Sequence, residues 1–193
     1  MFLVPEAFAK FYHDRADHRS DDWFLMGSPW PVLCIAASYV YFVTNLGPRF
    51  MKNRSAFHVD PIVRVYNLLQ IFLCLCLFIV GLNVVCGRTF RFICQPVDYS
   101  NTPHAIRMAR LAWLYFLLKV LDLCDTVFFI LRKKSGQVSF LHMYHHLMML
   151  LTVWTVNKFC PGNKMTGDSC RHVKKISFLG IYTLLLVNII IEF

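Results

Sequence analysis

The sequence predicts an all-α integral membrane protein, a multi-pass helical bundle, and three observations carry that prediction. Hydrophobic residues make up 57% of the 193-residue chain and charged residues only 16%, with a mean hydropathy of +0.50; a soluble domain would hold about 45–50% apolar and about 25% charged residues. Two long stretches, Trp23 to Pro48 and Val65 to Gly87, contain no Asp, Glu, Lys or Arg. Polar residues that do interrupt the later apolar stretches recur at helical spacing: Lys119, Asp122 and Asp125, then His142, His145 and His146. About four to five spans follow from this pattern.

Residues 1–22 form a polar N-terminal segment whose charges, from Glu6 and Lys10 to Asp21 and Asp22, leave no apolar core for a cleavable signal peptide. Insertion is therefore expected to rely on the first span. That stretch of 26 residues exceeds the roughly 20 needed to cross the hydrocarbon. Pro29 and Pro31 mark its start, so a helix is expected over about Val32 to Leu46, followed by the linker GPRFMKNRSAFHVDP. Val65 to Gly87 is the second span, and RTFRFICQPVDYSNTP reads as a loop from its Pro, Asn and Asp content. The third runs between Arg110 and Arg132, and the fourth follows RKKSGQ to about Val156. A last run, Ile176 to Ile191, has the length of a short tilted span or a re-entrant piece.

Loop charge sets the topology. The linkers carrying Arg49, Lys52 and Arg54, and Arg132, Lys133 and Lys134, lie two spans apart and share a side. The positive-inside rule makes that side cytosolic and the N-terminus lumenal or extracellular. The net charge of +9 is read as such anchoring; no basic-aromatic surface pattern suggests a nucleic-acid partner. Among eight cysteines there is no CxxC pair; Cys34, Cys74, Cys76 and Cys124 fall in apolar segments, and Cys86, Cys94, Cys160 and Cys170 flank spans where a disulfide is open to them.

The stretch VSFLHMYHHLMML (Val138 to Leu150) poses the chemical question. Its histidines stand at i, i+3 and i+4, one face of a helix. Imidazoles in an apolar bundle need partners for their ring nitrogens. The spacing suits metal ligation, nucleophilic or acid–base catalysis, or a hydrogen-bond network that merely holds a bundle. Lys119 and Asp122 pair along their own helix, lowering the cost of both in a membrane. Asp125 stands where a neighbouring imidazole N–H reaches it, and Thr126 is expected to bond back to its own helix. These charges either fix helix register or orient the histidines and grip a polar head group. Arg132, Lys133 and Lys134 read as a topology anchor, or as partners for a phosphate-bearing substrate such as the nucleotide end of coenzyme A. A diiron centre is disfavoured: His13, His18, His58, His104 and His172 are scattered singly and build no second histidine box. No metal is expected.

KVLDLCDTVFFILRKKSGQVSFLHMYHH (Lys119 to His146) closely resembles the signature of the very-long-chain fatty acid elongases, the ELO family, in insect-like form: K-x-x-[ED]-x-x-D-T, an LRKK loop, then Q-x-x-F-L-H-x-x-H-H. CQPVDYS, RMARLAWLYF (Arg107 to Phe116) and KFCPG (Lys158 to Gly162) are similar to the family too. The resemblance implies a seven-helix enzyme of the endoplasmic reticulum membrane. Such an enzyme condenses a long-chain acyl-CoA with malonyl-CoA, giving a 3-oxoacyl-CoA, carbon dioxide and coenzyme A. By motif position His145 would be the nucleophile that carries the acyl group, with His142 and His146 orienting it or handling protons. Lys119, Asp122, Asp125 and Gln137 would form the polar network, Gln137 on the substrate side, with Arg132 and Lys133 near the coenzyme A entrance. No cofactor beyond the two substrates is implied; the partners are the lipid bilayer, acyl-CoA, malonyl-CoA and homo- or hetero-oligomers with other elongases.

The elongase-like transmembrane domain is thus expected over residues 23–162, with a divergent tail at 163–193. After Gly162 the family's N-x-x-x-H-x-x-M-Y pattern is missing, and no catalytic role passes to His172. The expectation is a truncated elongase, either retaining condensing activity or acting without it as a membrane partner of intact elongases.

Overall fold

The computed structural model describes residues 10, 12–14, 16–85, 102–134, 136 and 138–159. Gln137, the cysteines Cys86, Cys94, Cys160 and Cys170, His172 and the tail at 163–193 lie outside the described residues. Among the described residues the regular structure is all helical. Five helices are named here: α1 (Pro29–Met51), α2 (Asp60–Val85), α3 (Pro103–Leu121), α4 (Leu123–Leu131) and α5 (Phe140–Phe159).

Helix α1 begins three residues before the expected Val32 and ends five beyond Leu46. Ser28 caps it by accepting the Trp30 N–H, and Pro29 sits in the first turn, where a missing N–H costs nothing. Its passage through Pro48 has a specific cause. Residues Phe42–Leu46 form a π turn, in which the Gly47 N–H bonds back to the Phe42 carbonyl. The wider turn makes room for a proline ring that would collide with the carbonyl four residues earlier in an ordinary α-helix.

Gly47 is also where α1 approaches α4. A Cβ built there would stand 2.9 Å from the Phe42 carbonyl oxygen and 3.0 Å from Ile130 Cγ2. Gly47→Ala is therefore expected to lower stability by about 1–3 kcal/mol through overpacking. Thermal melting in detergent checks it: an unchanged midpoint would mean that this contact is looser than described.

Helix α2 carries acidic Asp60 in its first turn, favourable to the helix dipole, and begins five residues before the expected Val65. It is apolar nearly all round, yet Val65, Leu68, Phe72, Ile79 and Val80 point out of the protein. A helix of this kind is at home buried or in lipid, and it is not buried. Two helices, Pro29–Met51 and Asp60–Asn83, are long and apolar enough to cross a membrane by length and composition.

The third expected segment starts earlier, at Pro103, with Thr102 accepting the Ala105 N–H, and is broken at Asp122 into α3 and α4. The break opens the carbonyl of Leu121, which accepts the Tyr66 hydroxyl of α2 at 2.8 Å. Helix α5 returns beside α3 and α4. One core draws Val32, Ala36 and Tyr39 of α1 together with Phe116, Leu123, Ile130, Leu150 and Trp154. A smaller one, with Cys74, Leu77, Tyr115 and Leu118, seals α2 against α3. Cys34, Cys74, Cys76 and Cys124 are free thiols; Cys74 is buried and Cys76 exposed, on different faces as their spacing requires.

At one end the basic linkers expected to share a side do meet. The Phe57 N–H donates to the Leu131 carbonyl at 3.0 Å, and Arg132 pairs with Asp60 at 2.6 Å. At the other end the described part of the polar N-terminal segment, together with the residues just after it, straps the bundle. The indoles of Trp113 and Trp154 donate to the carbonyls of Phe24 and Leu25, and the Asp17 N–H donates to the Lys158 carbonyl. The fully buried Lys158 ammonium pairs with Asp21, which also accepts from His18 at 2.9 Å.

This strap is pH-sensitive. Burial pushes the Asp21 carboxyl up, but hydrogen bonds from Lys158 and His18 outweigh it and hold the group below its ordinary 3.8. The Asp21 hydrogen bond, then that to the His13 carbonyl, lifts His18 above its ordinary 6.5. Docking strength from Asp21 is present above 3.8 and fades as pH falls through the lowered value. That from His18 is present below 6.5 and fades as pH rises through the raised one. The strap should hold tightest between the two, with the smaller loss on the alkaline side because His18 is solvent-exposed and screened. Amide exchange at Asp17, corrected for its intrinsic pH dependence, checks this; protection that stays constant from below the lowered Asp21 value to above the raised His18 value would refute it.

Candidate active site

Three helices bring the polar residues together below the break at Asp122. Lys119 donates to Asp122 Oδ2 at 3.1 Å, the pairing expected along the helix, with both groups buried. Gln70 of α2 completes it, donating to Asp122 Oδ1 at 2.6 Å. The Lys119 ammonium also lies 5.3 Å from the Tyr115 ring centroid. Each carboxylate oxygen thus meets a donor from a different helix, which offsets the cost of burying the charge.

The residues missed from sequence are those that face this pair from elsewhere. Tyr66 and Gln70 stand at i and i+4 in a largely apolar helix, and Asn67 is buried beside them. Polar side chains inside an apolar span are themselves a signal, but nothing local says which partner they face. The Gln70 Oε1 and the Tyr115 hydroxyl are buried without a hydrogen-bond partner.

The imidazoles occupy one side of α5 in two environments. His142 and His146 are half-buried with ring centroids 4.4 Å apart at 60°, and His146 meets His145 edge-on at 5.8 Å. His145 is exposed and lies within electrostatic reach of both Lys119 and Asp122. The site therefore presents one open imidazole beside a buried cation–carboxylate pair, with two further rings packed behind. Among the described residues no group of three His, Cys, Asp or Glu is arranged to hold a metal ion.

One expectation needs correction. Thr126 does not bond back to its own helix; its hydroxyl, fully buried, bridges Tyr39 of α1 at 2.9 Å and His142 Nε2 at 3.2 Å. Thr126, next to Asp125, thus meets an imidazole of α5. Asp125 itself stands close enough to Tyr39 and Tyr66 for its charge to act on both.

Arg132 and Lys133 stand at the other end of α4, in its C-terminal turn. Lys133 N–H bonds to Ile130 O and Lys134 N–H to Phe129 O, with Lys133 left-handed at φ 54, a Schellman termination carrying lysine where glycine is usual. Arg132 is held by Asp60, while Lys133 and Lys134 point outward.

Residues 24–168 match the family described as ELO: GNS1/SUR4 family. The chain is 44% identical over 162 residues to very long chain fatty acid elongase 1 of Mus musculus, covering 81% of this chain and 57% of the relative. To a very long chain fatty acid elongase of Aedes aegypti it is 43% identical over 157 residues, covering 80% and 44%. To very long chain fatty acid elongase 4 of Homo sapiens it is 44% identical over 174 residues, covering 86% and 54%. The chain spans about half the length of the curated relatives it matches.

Proposed function

The chain belongs to the ELO family, and from that premise we propose that it elongates long-chain acyl-CoA with malonyl-CoA through an acyl group carried on His145. The observation that supports this reading is the asymmetry of the three imidazoles: His145 alone is exposed, and it stands within electrostatic reach of the Lys119–Asp122 pair.

The chemistry is then as follows. A ring nitrogen of His145 attacks the thioester carbonyl, and the C–S bond breaks; the thiolate takes up the proton released from the ring and leaves as coenzyme A. The acyl-imidazole formed remains an active acyl donor. Malonyl-CoA loses carbon dioxide, and the carbanion left at its α-carbon attacks the acyl carbonyl. The C–N bond to His145 breaks and the departing imidazolate takes up a proton from water, yielding a 3-oxoacyl-CoA two carbons longer and the free imidazole. Lys119, paired with Asp122, stabilises negative charge as it develops at the carbonyl oxygen. His142 and His146 hold His145 in place, and Asp125 and Gln137 complete the polar surround. At the basic end, Arg132 and Lys133 receive the phosphates of coenzyme A. In this reading the protein works in the endoplasmic reticulum membrane.

Mass spectrometry of the chain incubated with long-chain acyl-CoA in the absence of malonyl-CoA tests the carrier step. An acyl mass on the peptide containing His145, discharged by added malonyl-CoA, is the expected result. An unmodified His145 under turnover of malonyl-CoA would remove the mechanism. No elongated product, with co-purification of an intact elongase, would instead point to a non-catalytic membrane partner.

A further inference from the structure

The hydrogen-bonded series Tyr39–Thr126–His142 draws α1, α4 and α5 onto one point and ties two residues with no expected role, Tyr39 and Thr126, to one of the three histidines. Thr126 is fully buried and Tyr39 is 6% exposed. The Thr126 Oγ1 sits 2.9 Å from the Tyr39 hydroxyl and 3.2 Å from His142 Nε2. We propose that Thr126, held by Tyr39, is the positioning residue that fixes His142 as the Nδ1–H tautomer and locks its ring plane.

Proton accounting gives the direction. Each hydroxyl owns one hydrogen, and a neutral imidazole has one donor and one acceptor nitrogen. The phenol is the more acidic hydroxyl, so Tyr39 donates to Thr126. The Thr126 hydrogen then goes to the lone pair of His142 Nε2, and the ring proton stands on Nδ1. Run the other way, Nε2–H would donate to Thr126 and Thr126 to Tyr39, leaving the phenol hydrogen to find another acceptor in a buried pocket. Two aligned hydroxyls polarise one another, so the forward series strengthens as a unit.

The consequence reaches the open imidazole by packing. His142 stands edge-to-face on His146, and His146 edge-on to His145. A His142 free to rotate or to change tautomer displaces His146, and through it the ring proposed to carry the acyl group. Phe129 confines the His142 ring further, at 5.8 Å between centroids. The purpose of the relay rests on the histidine chemistry proposed above; its existence does not.

The test is long-range nitrogen–proton correlation spectroscopy on the full chain in detergent with 15N-labelled histidine, His142 being assigned as the ring system lost in His142→Asn. The expected pattern is a protonated Nδ1 and a bare Nε2. Thr126→Val, of nearly equal volume, should raise the Nε2–H population several-fold, and Thr126→Ser should restore the parent pattern. Tyr39→Phe should move it in the direction of the valine variant by a smaller amount. A protonated Nε2 in the parent chain overturns the proposal, as does a parent pattern in Thr126→Val. Should Thr126→Val fail to accumulate, Tyr39→Phe carries the test, and an unchanged pattern there overturns it equally. No substrate enters this readout, so an unmodified His145 in the acyl-transfer experiment counts against the proposed function alone.

Discussion

His145→Ala is expected to lower incorporation of labelled malonyl-CoA by membranes bearing the chain more than about a thousandfold, since removing a nucleophile removes the whole covalent route. The same change should leave the melting midpoint nearly untouched. His145 is exposed, and its ring–ring contact among the described residues is with the edge of His146. Activity and stability are thereby separated in one variant. His146→Ala makes the contrasting control: that ring packs between His142 and His145, so its loss should weaken both quantities. Equal elongation by the parent and His145→Ala would end the assignment of His145 as acyl carrier.

Asp122→Ala should be the most destabilising single change. It strips the partner from Lys119, which is 6% exposed, and the acceptor from the Gln70 amide, which is 1% exposed. Breaking a buried ion pair by removing one member costs about 3–5 kcal/mol, because the remaining charge is left unpaired in a poorly solvated place. The joint between α3 and α4, where the Leu121 carbonyl relies on Tyr66, should loosen with it. Replacing both members, as in Lys119→Met with Asp122→Leu, should recover most of the loss, since no charge then remains to be desolvated. Folded yield and melting midpoint in detergent decide the matter. A double variant no better than Asp122→Ala would mean that hydrogen-bond geometry around Gln70, and not the unpaired charge, sets the cost.

Much of this arrangement was legible in the residues themselves. The spacing of Lys119 and Asp122 identified a pair one helical turn apart, and the spacing of the histidines placed three rings on one side of α5. The uncharged runs found the two apolar helices, and loop charge put the two basic linkers at the same end, where Phe57 and Leu131 meet. Helix limits were read too tightly. In the sequence Pro29 and Pro31 mark the start of the first span and GPRF opens the linker after Leu46, whereas in the structure Pro29 sits in a first turn and Pro48 follows a π turn that accommodates its ring.

Local chemistry by itself determined which residues would carry charge and hydrogen bonds inside an apolar bundle, because composition and period are written along the chain. Tertiary structure alone decided which of them meet. Gln70 reaches Asp122 across 52 positions and Tyr39 reaches Thr126 across 87, and no periodicity encodes such distances. The physical reason is that a buried polar atom takes whatever partner packing delivers within reach. Thr126 illustrates it: on an isolated helix its hydroxyl would have turned to its own backbone, and only the arrival of α1 and α5 offered it a phenol and an imidazole instead.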